Sequence, residues 1–142
     1  MKLRALAAIA ALISMNLSVV VPAHAQAQAQ DDDMSYPRLT HCAALNMLLG
    51  QVLSVGPDKD EAGVKAQAET YVAQAAALTL VAAAMTQKDP AEVQQDVFAQ
   101  SGTMAQSLEK EGAAEELLQK DFGTCTDLGK AAFAAVQEAQ KS

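Results

Sequence analysis

Along much of this chain the apolar residues fall three and four positions apart, the spacing that keeps one face of an α-helix against a neighbour. The longest such run is Val64, Ala68, Tyr71, Ala75, Leu78, Ala82 and Met85. Asp58-x-x-Glu61 precedes it as a start signal, an aspartate to cap free amides and a glutamate three positions on. Together they predict a helix over 59–87. Asp89-Pro90-Ala91-Glu92 is a second start signal. Asp89 caps, Pro90 has no amide to leave unpaired in the first turn, and Glu92 complements the helix dipole. Val93, Val97, Ser101, Met104 and Leu108 continue the spacing and predict a helix over 90–111.

Two further helices flank these. The first is expected from about Pro37 to Ser54, with Cys42, Leu45, Leu49 and Val52 on one stripe and Gly56-Pro57 as its stop. The last is expected from about Ala113 toward the C-terminus, on the stripe Leu118, Phe122, Cys125, Gly129, Ala132 and Val136, flanked by Leu117, Leu128 and Phe133. Gly123 and Gly129 each weaken that helix by about 1 kcal/mol relative to alanine, and mark a kink or a close approach. No period-two stretch of β-branched or aromatic residues follows residue 25, so the expected class is all-α. Four helices on short connections most economically form an up-down-up-down four-helix bundle.

The two cysteines bear on that topology. In such a bundle the first and last helices are antiparallel neighbours. Ser54 lies twelve residues after Cys42, and Ala113 lies twelve residues before Cys125. A Cys42–Cys125 disulfide would therefore bring the two helix ends level. Closing so long a loop stabilises a fold by about 4–5 kcal/mol in the chain-entropy model. No Cys-x-x-Cys occurs, so a redox-active pair is not indicated.

The N-terminus carries an address. Lys2 and Arg4 precede an apolar run from Ala5 to Val21, interrupted by Ser14, Asn16 and Ser18, and Pro22 breaks it before Ala23-His24-Ala25. Basic end, apolar core and small-x-small site form the plan of a secretory signal peptide, with cleavage between Ala25 and Gln26. The run is at the short limit for a spanning helix, and no cysteine stands at the junction for lipid attachment. The expected organisation is a cleavable signal over 1–25, a disordered Gln-Ala and acidic linker over 26–35, and a helical domain over 36–142. A periplasmic or secreted location follows, without a stable membrane anchor after cleavage, and that oxidising setting favours the disulfide.

Cleavage changes the charge. Of 142 residues, 117 remain; Lys2 and Arg4 are lost, leaving eight basic residues against all 17 acidic ones, a net charge of −9. Nucleic-acid binding needs the opposite sign, because it rests on Lys and Arg displacing counterions. The apolar content is mostly alanine, with no tryptophan, so packing must come from helices that approach closely. Asp31, Asp32 and Asp33 lack the glycine turn and spaced oxygens of a calcium loop.

Candidate chemistry is sparse. The mature chain keeps one histidine, His41, which excludes the multi-histidine zinc patterns and a Glu-x-x-His di-iron pair. Beside Cys42 at the start of a helix it reads as a rim residue. A haem bundle would pair His41 with Met47, Met85 or Met104, but no Cys-x-x-Cys-His is present for covalent attachment. Met34, Met47, Met85 and Met104 are too scattered for a copper cluster, and Met85 and Met104 read as core. Glu109, Glu111, Glu115 and Glu116 flank Gly112 as a solvated junction. No Gly-x-Ser-x-Gly elbow occurs, and neither catalytic residues nor a cofactor are expected.

The expected function is that of a non-catalytic module binding another protein of the bacterial envelope. In organisation the chain is also similar to small periplasmic acid-stress chaperones, which are helical and carry one disulfide. That likeness implies a second expectation, a bundle that loosens on acidification and holds client proteins. A haem- or metal-binding bundle is the third.

Overall fold

The computed structural model describes residues 34–142; the expected signal peptide, its cleavage residues Ala23, Ala25 and Gln26, and residues 26–33 of the expected linker lie outside them. Met34 and Ser35, expected in that linker, belong to the domain instead. Met34 joins the core, and Ser35 caps the first helix by accepting a hydrogen bond from the Arg38 amide at 3.4 Å.

Helix α1 is Tyr36–Val55, α2 is Ala62–Thr86 and α3 is Pro90–Ser107. The fourth helical rod runs without a break through α4 (Ala113–Leu117), a π-helical turn (Leu118–Phe122) and α5 (Gly123–Gln140). The four-helix bundle expected from periodicity is therefore present, and Cys42 and Cys125 join its first and last helices at an S–S distance of 2.05 Å.

Helices α1 and α2 form the central antiparallel pair. Lys88, just past α2, reaches Tyr36 at the start of α1, and Gly50 near the end of α1 faces Ala68 and Val72 near the start of α2. A Cβ at Gly50 would stand 2.8 Å from Val72 Cγ2, so glycine is what lets the helices close there. Because α3 packs mainly on α1, and α5 on both α2 and α1, the central pair is covered on more than one side. Between Leu39 and Leu48, only His41 and Met47 of α1 escape full burial. On α2 the stripe from Ala68 to Ala82 is buried as expected, and Gln74, Ala77 and Val81 beside it are buried too. Alanines at these positions permit the close approach that an alanine-rich core requires.

Several boundaries differ from expectation for local reasons. Helix α2 starts at Ala62 and not near 59, because residues 57–60 form a turn in which Asp58 offers its backbone carbonyl to the Glu61 amide at 3.0 Å. Asp89 does cap α3, accepting from the Ala91 amide at 2.8 Å. That helix stops at Ser107 and not at 111, where Lys110 bonds back to Ser107 and Gly112 takes φ +79°, a left-handed conformation that favours glycine. In the last rod the π turn adds one residue to the local repeat. Leu117 therefore packs on the core, while Leu118, expected on the stripe, is 47% exposed.

The level-ended register inferred from the twelve-residue offsets is not the one found. Arg38 and His41, both before Cys42, meet Asp121, which lies before Cys125. Antiparallel neighbours level at the disulfide would instead place Arg38 near Gly129. The last helix crosses α1 at the bridge and closes on α2, where a Cβ on Gly129 would stand 2.9 Å from Gln74 Oε1 and 3.0 Å from its Cβ. Gly129 marks a close approach; Gly123, with open space around its α-carbon, does not.

Candidate functional site

The expected site residues separate into different parts of the fold. Cys42 and Cys125 are buried, with α-carbons 4.8 Å apart. Asn46 Nδ2 donates to the carbonyls of both, at 2.9 and 3.2 Å, and so ties the backbones of α1 and α5 beside the bridge. Met34 and Met104 lie in the core and Met47 is partly buried, whereas Met85 is 41% exposed and not the core residue expected. Val52, expected on the α1 stripe, is also exposed, because it lies two positions, about 200° round the helix, from Gly50, the residue that faces α2. Among the described residues no group of three His, Cys, Asp or Glu side chains is placed to hold a metal ion.

His41 has a partner that the sequence did not disclose. Its Nε2 lies 3.0 Å from Asp121 Oδ2, and Arg38 Nη1 donates to Asp121 Oδ1 at 2.9 Å. The three side chains are only 20–31% exposed. Burial raises the Asp121 carboxyl, but the hydrogen bonds and positive charges of Arg38 and His41 outweigh it and hold the group below its ordinary value. Ser35 and Pro37 complete a shallow depression here. The depression contains serine, histidine and aspartate, yet Ser35 Oγ serves the α1 cap and Asp121 is shared with Arg38. Its evident work is clamping the π turn to the first helix. Elsewhere in that segment support is thin: no residue of α4 or the π turn is fully buried, and Phe122 meets Tyr71 at 6.5 Å between ring centroids.

A groove of about 510 Å³ lies between α1, α2 and α3. Met47 from α1, Val72, Ala76 and Leu80 from α2, and Phe98 from α3 give it an apolar floor and walls. Gln51 and Gln94 place amides in it, and no charged side chain lines it. Val72 is 50% exposed and Phe98 52%, two large apolar side chains sharing one concave surface. In a protein this acidic, an uncharged apolar groove suits burial of an apolar partner surface and offers no titratable group for acid–base chemistry.

Neither Phe98 nor Asp121 was singled out from the sequence. Phe98 follows the core residue Val97 by one position and so points about 100° away from the stripe. An aromatic off the apolar stripe was the available signal. Asp121 carried none, because its partners lie 83 and 80 positions away. Comparison of the chain with protein-family models, curated proteins and solved structures finds no match.

Proposed function

We propose that this is an exported, non-catalytic helical protein of the bacterial envelope that acts by binding another envelope protein through the α1–α2–α3 groove. The observation that carries this reading is the pairing of half-exposed Val72 and Phe98 in one uncharged concavity. Export rests on the N-terminal pattern, and a disulfide is in keeping with it. The test is pull-down from envelope extract with the mature protein and its Phe98→Lys variant. A protein retained by the first and lost by the second supports the reading; identical retention profiles overturn it.

A second reading, an acid-activated chaperone, is favoured by the Arg38–His41–Asp121 clamp. Asp121 is held ionised by its partners, so its contribution disappears in acid and frees a segment with little other support. The test is suppression of client aggregation on acidification. A protein that loosens but protects no client removes this reading and leaves the groove-binding one.

A further inference from the structure

We infer that residues 113–122 form a flap that acid releases and the Cys42–Cys125 disulfide stops, uncovering the Tyr71 face of α2; this rests on the acid-activated reading above and names the part that moves. The first argument is how the segment is held. Between Gly112 and Gly123, α4 and the π turn pack along their own rod and touch the other helices at few points. Those points include Asp121 against Arg38 and His41, Phe122 against Tyr71, and Leu117 at the edge of the core. Cys125, by contrast, is buried. There the disulfide, and the hydrogen bond at 3.2 Å from Asn46 Nδ2 to the Cys125 carbonyl, fix the rod to α1. One helical turn separates a contact made by charge from one made by a covalent bond. A segment with few buried contacts opens before the structure around it, and this one can open only as far as Cys125.

The second argument is charge. On α1 the Asp121 carboxylate meets Arg38 and His41. Lys120, beside it on the rod, pairs with Glu116 at 2.6 Å, and α2 brings the Tyr71 ring against Phe122. From residue 109 to residue 122 the chain carries five carboxylates against two lysines, a net charge of −3. Protonating the carboxylates turns this into +2, the sign of Arg38 and of protonated His41. Acid therefore removes the Asp121 contact and replaces attraction to α1 by repulsion. Because Arg38 and His41 keep Asp121 ionised below the ordinary carboxylate range, the release comes late in an acid titration. Tyr71, buried beside Phe122, then becomes accessible together with Phe122 and Leu117, an apolar surface suited to holding a loosened client.

Pepsin at about pH 2.5, where the Asp121 contribution is lost, should cut the mature protein first within 113–122, at Leu117, Leu118 or Phe122. The two pieces should part only on reduction, since Cys42 and Cys125 lie on opposite sides of the cut. A second measurement uses Phe122→Trp: the chain has no tryptophan, so the emission reports the flap alone. On acidification that emission should move to longer wavelength, while Phe98→Trp, on α3, keeps its own and far-UV helicity largely holds. Asp121→Lys, which sets a cation against Arg38 and His41, should shift the Phe122→Trp emission already at neutral pH. First cuts scattered over all the helices, both tryptophans shifting together, or an emission indifferent to Asp121→Lys would each overturn the inference. An open flap that protects no client ends the chaperone reading and leaves the flap; client protection with the flap closed overturns the flap and leaves that reading.

Discussion

Replacing Asp121 by asparagine keeps the shape of the α1–π-turn clamp and removes its charge. Asp121 accepts at 2.9 Å from Arg38 and lies 3.0 Å from His41 Nε2. Hydrogen bonds to charged groups contribute about 1.5–3 kcal/mol each when buried, but these side chains retain 20–31% exposure and solvent screens them. The net loss should be about 1–2 kcal/mol, or a fall of about 4–10 °C in Tm for a domain of this size. The pH dependence separates this cause from a simple packing defect. Because the folded carboxyl titrates below its ordinary value, its stabilisation is complete above the unfolded value of about 3.9 and disappears as pH falls through the lower folded value. Thermal melts followed by circular dichroism should therefore show the full wild-type advantage at about pH 7 and little of it at about pH 2.5. Other carboxylates titrate in both proteins and cancel in the difference. An advantage that persists unchanged into acid, or that is missing at neutral pH, would refute the clamp.

Serine at both Cys42 and Cys125 should cost about 4–5 kcal/mol by loop length, read as a lower denaturant midpoint with native helicity kept by circular dichroism. Gly129→Ala should cost about 1–3 kcal/mol, since its Cβ would press on Gln74 Cβ as well as on the mobile Oε1, whereas Gly123→Ala, with open space around it, should gain about 0.5–1 kcal/mol. Urea melts of the two variants should move in opposite directions. Leu78→Ala, at a fully buried position, should cost about 2–5 kcal/mol by the same measurement. Intact mass of the exported protein should correspond to a chain beginning at Gln26; a species retaining Met1 in the membrane fraction would replace cleavage by anchoring.

The parts of the fold that local chemistry decides were legible in advance. Asp89 and Pro90 fix the start of α3 whatever surrounds them, because the cap and the missing amide act within one turn. The stripe from Ala68 to Ala82 likewise identified one buried face of α2. What periodicity did not convey was how many partners a helix has. An alanine presents the same small side chain to a neighbour or to water, so Ala43, Ala44, Ala77 and Ala83 gave no sign that α1 and α2 are enclosed on several sides. The crossing of the last helix over α1 was hidden for a related reason. It depends on Gly129 closing against Gln74 and on Asp121 reaching Arg38, contacts between residues far apart in the chain. Cys42 and Cys125 fix one point of contact, and a single point sets no crossing angle.

The groove shows why a binding surface of this kind escapes a reading by stripes. Val52, Val55, Phe133 and Leu118 are exposed apolar residues as well, Val55 more so than Phe98. Exposure alone therefore does not select Phe98, since scattered apolar residues are ordinary on a protein surface. What distinguishes Phe98 is company: it lines the same concavity as Val72 on the next helix and Met47 on a third. That company exists only once α3 has settled against the α1–α2 pair with Val93 and Val97 buried beneath it. Core and groove thus lie on adjoining faces of α3, and the residues that seat the helix determine where Phe98 points. A substitution such as Val97→Ala should accordingly weaken binding at the groove as well as stability, although Val97 is not among the residues lining it. Measuring affinity for the protein retained through the groove and the unfolding midpoint on that one variant tests the coupling. Lost stability with unchanged affinity would show that the groove forms independently of the core under it.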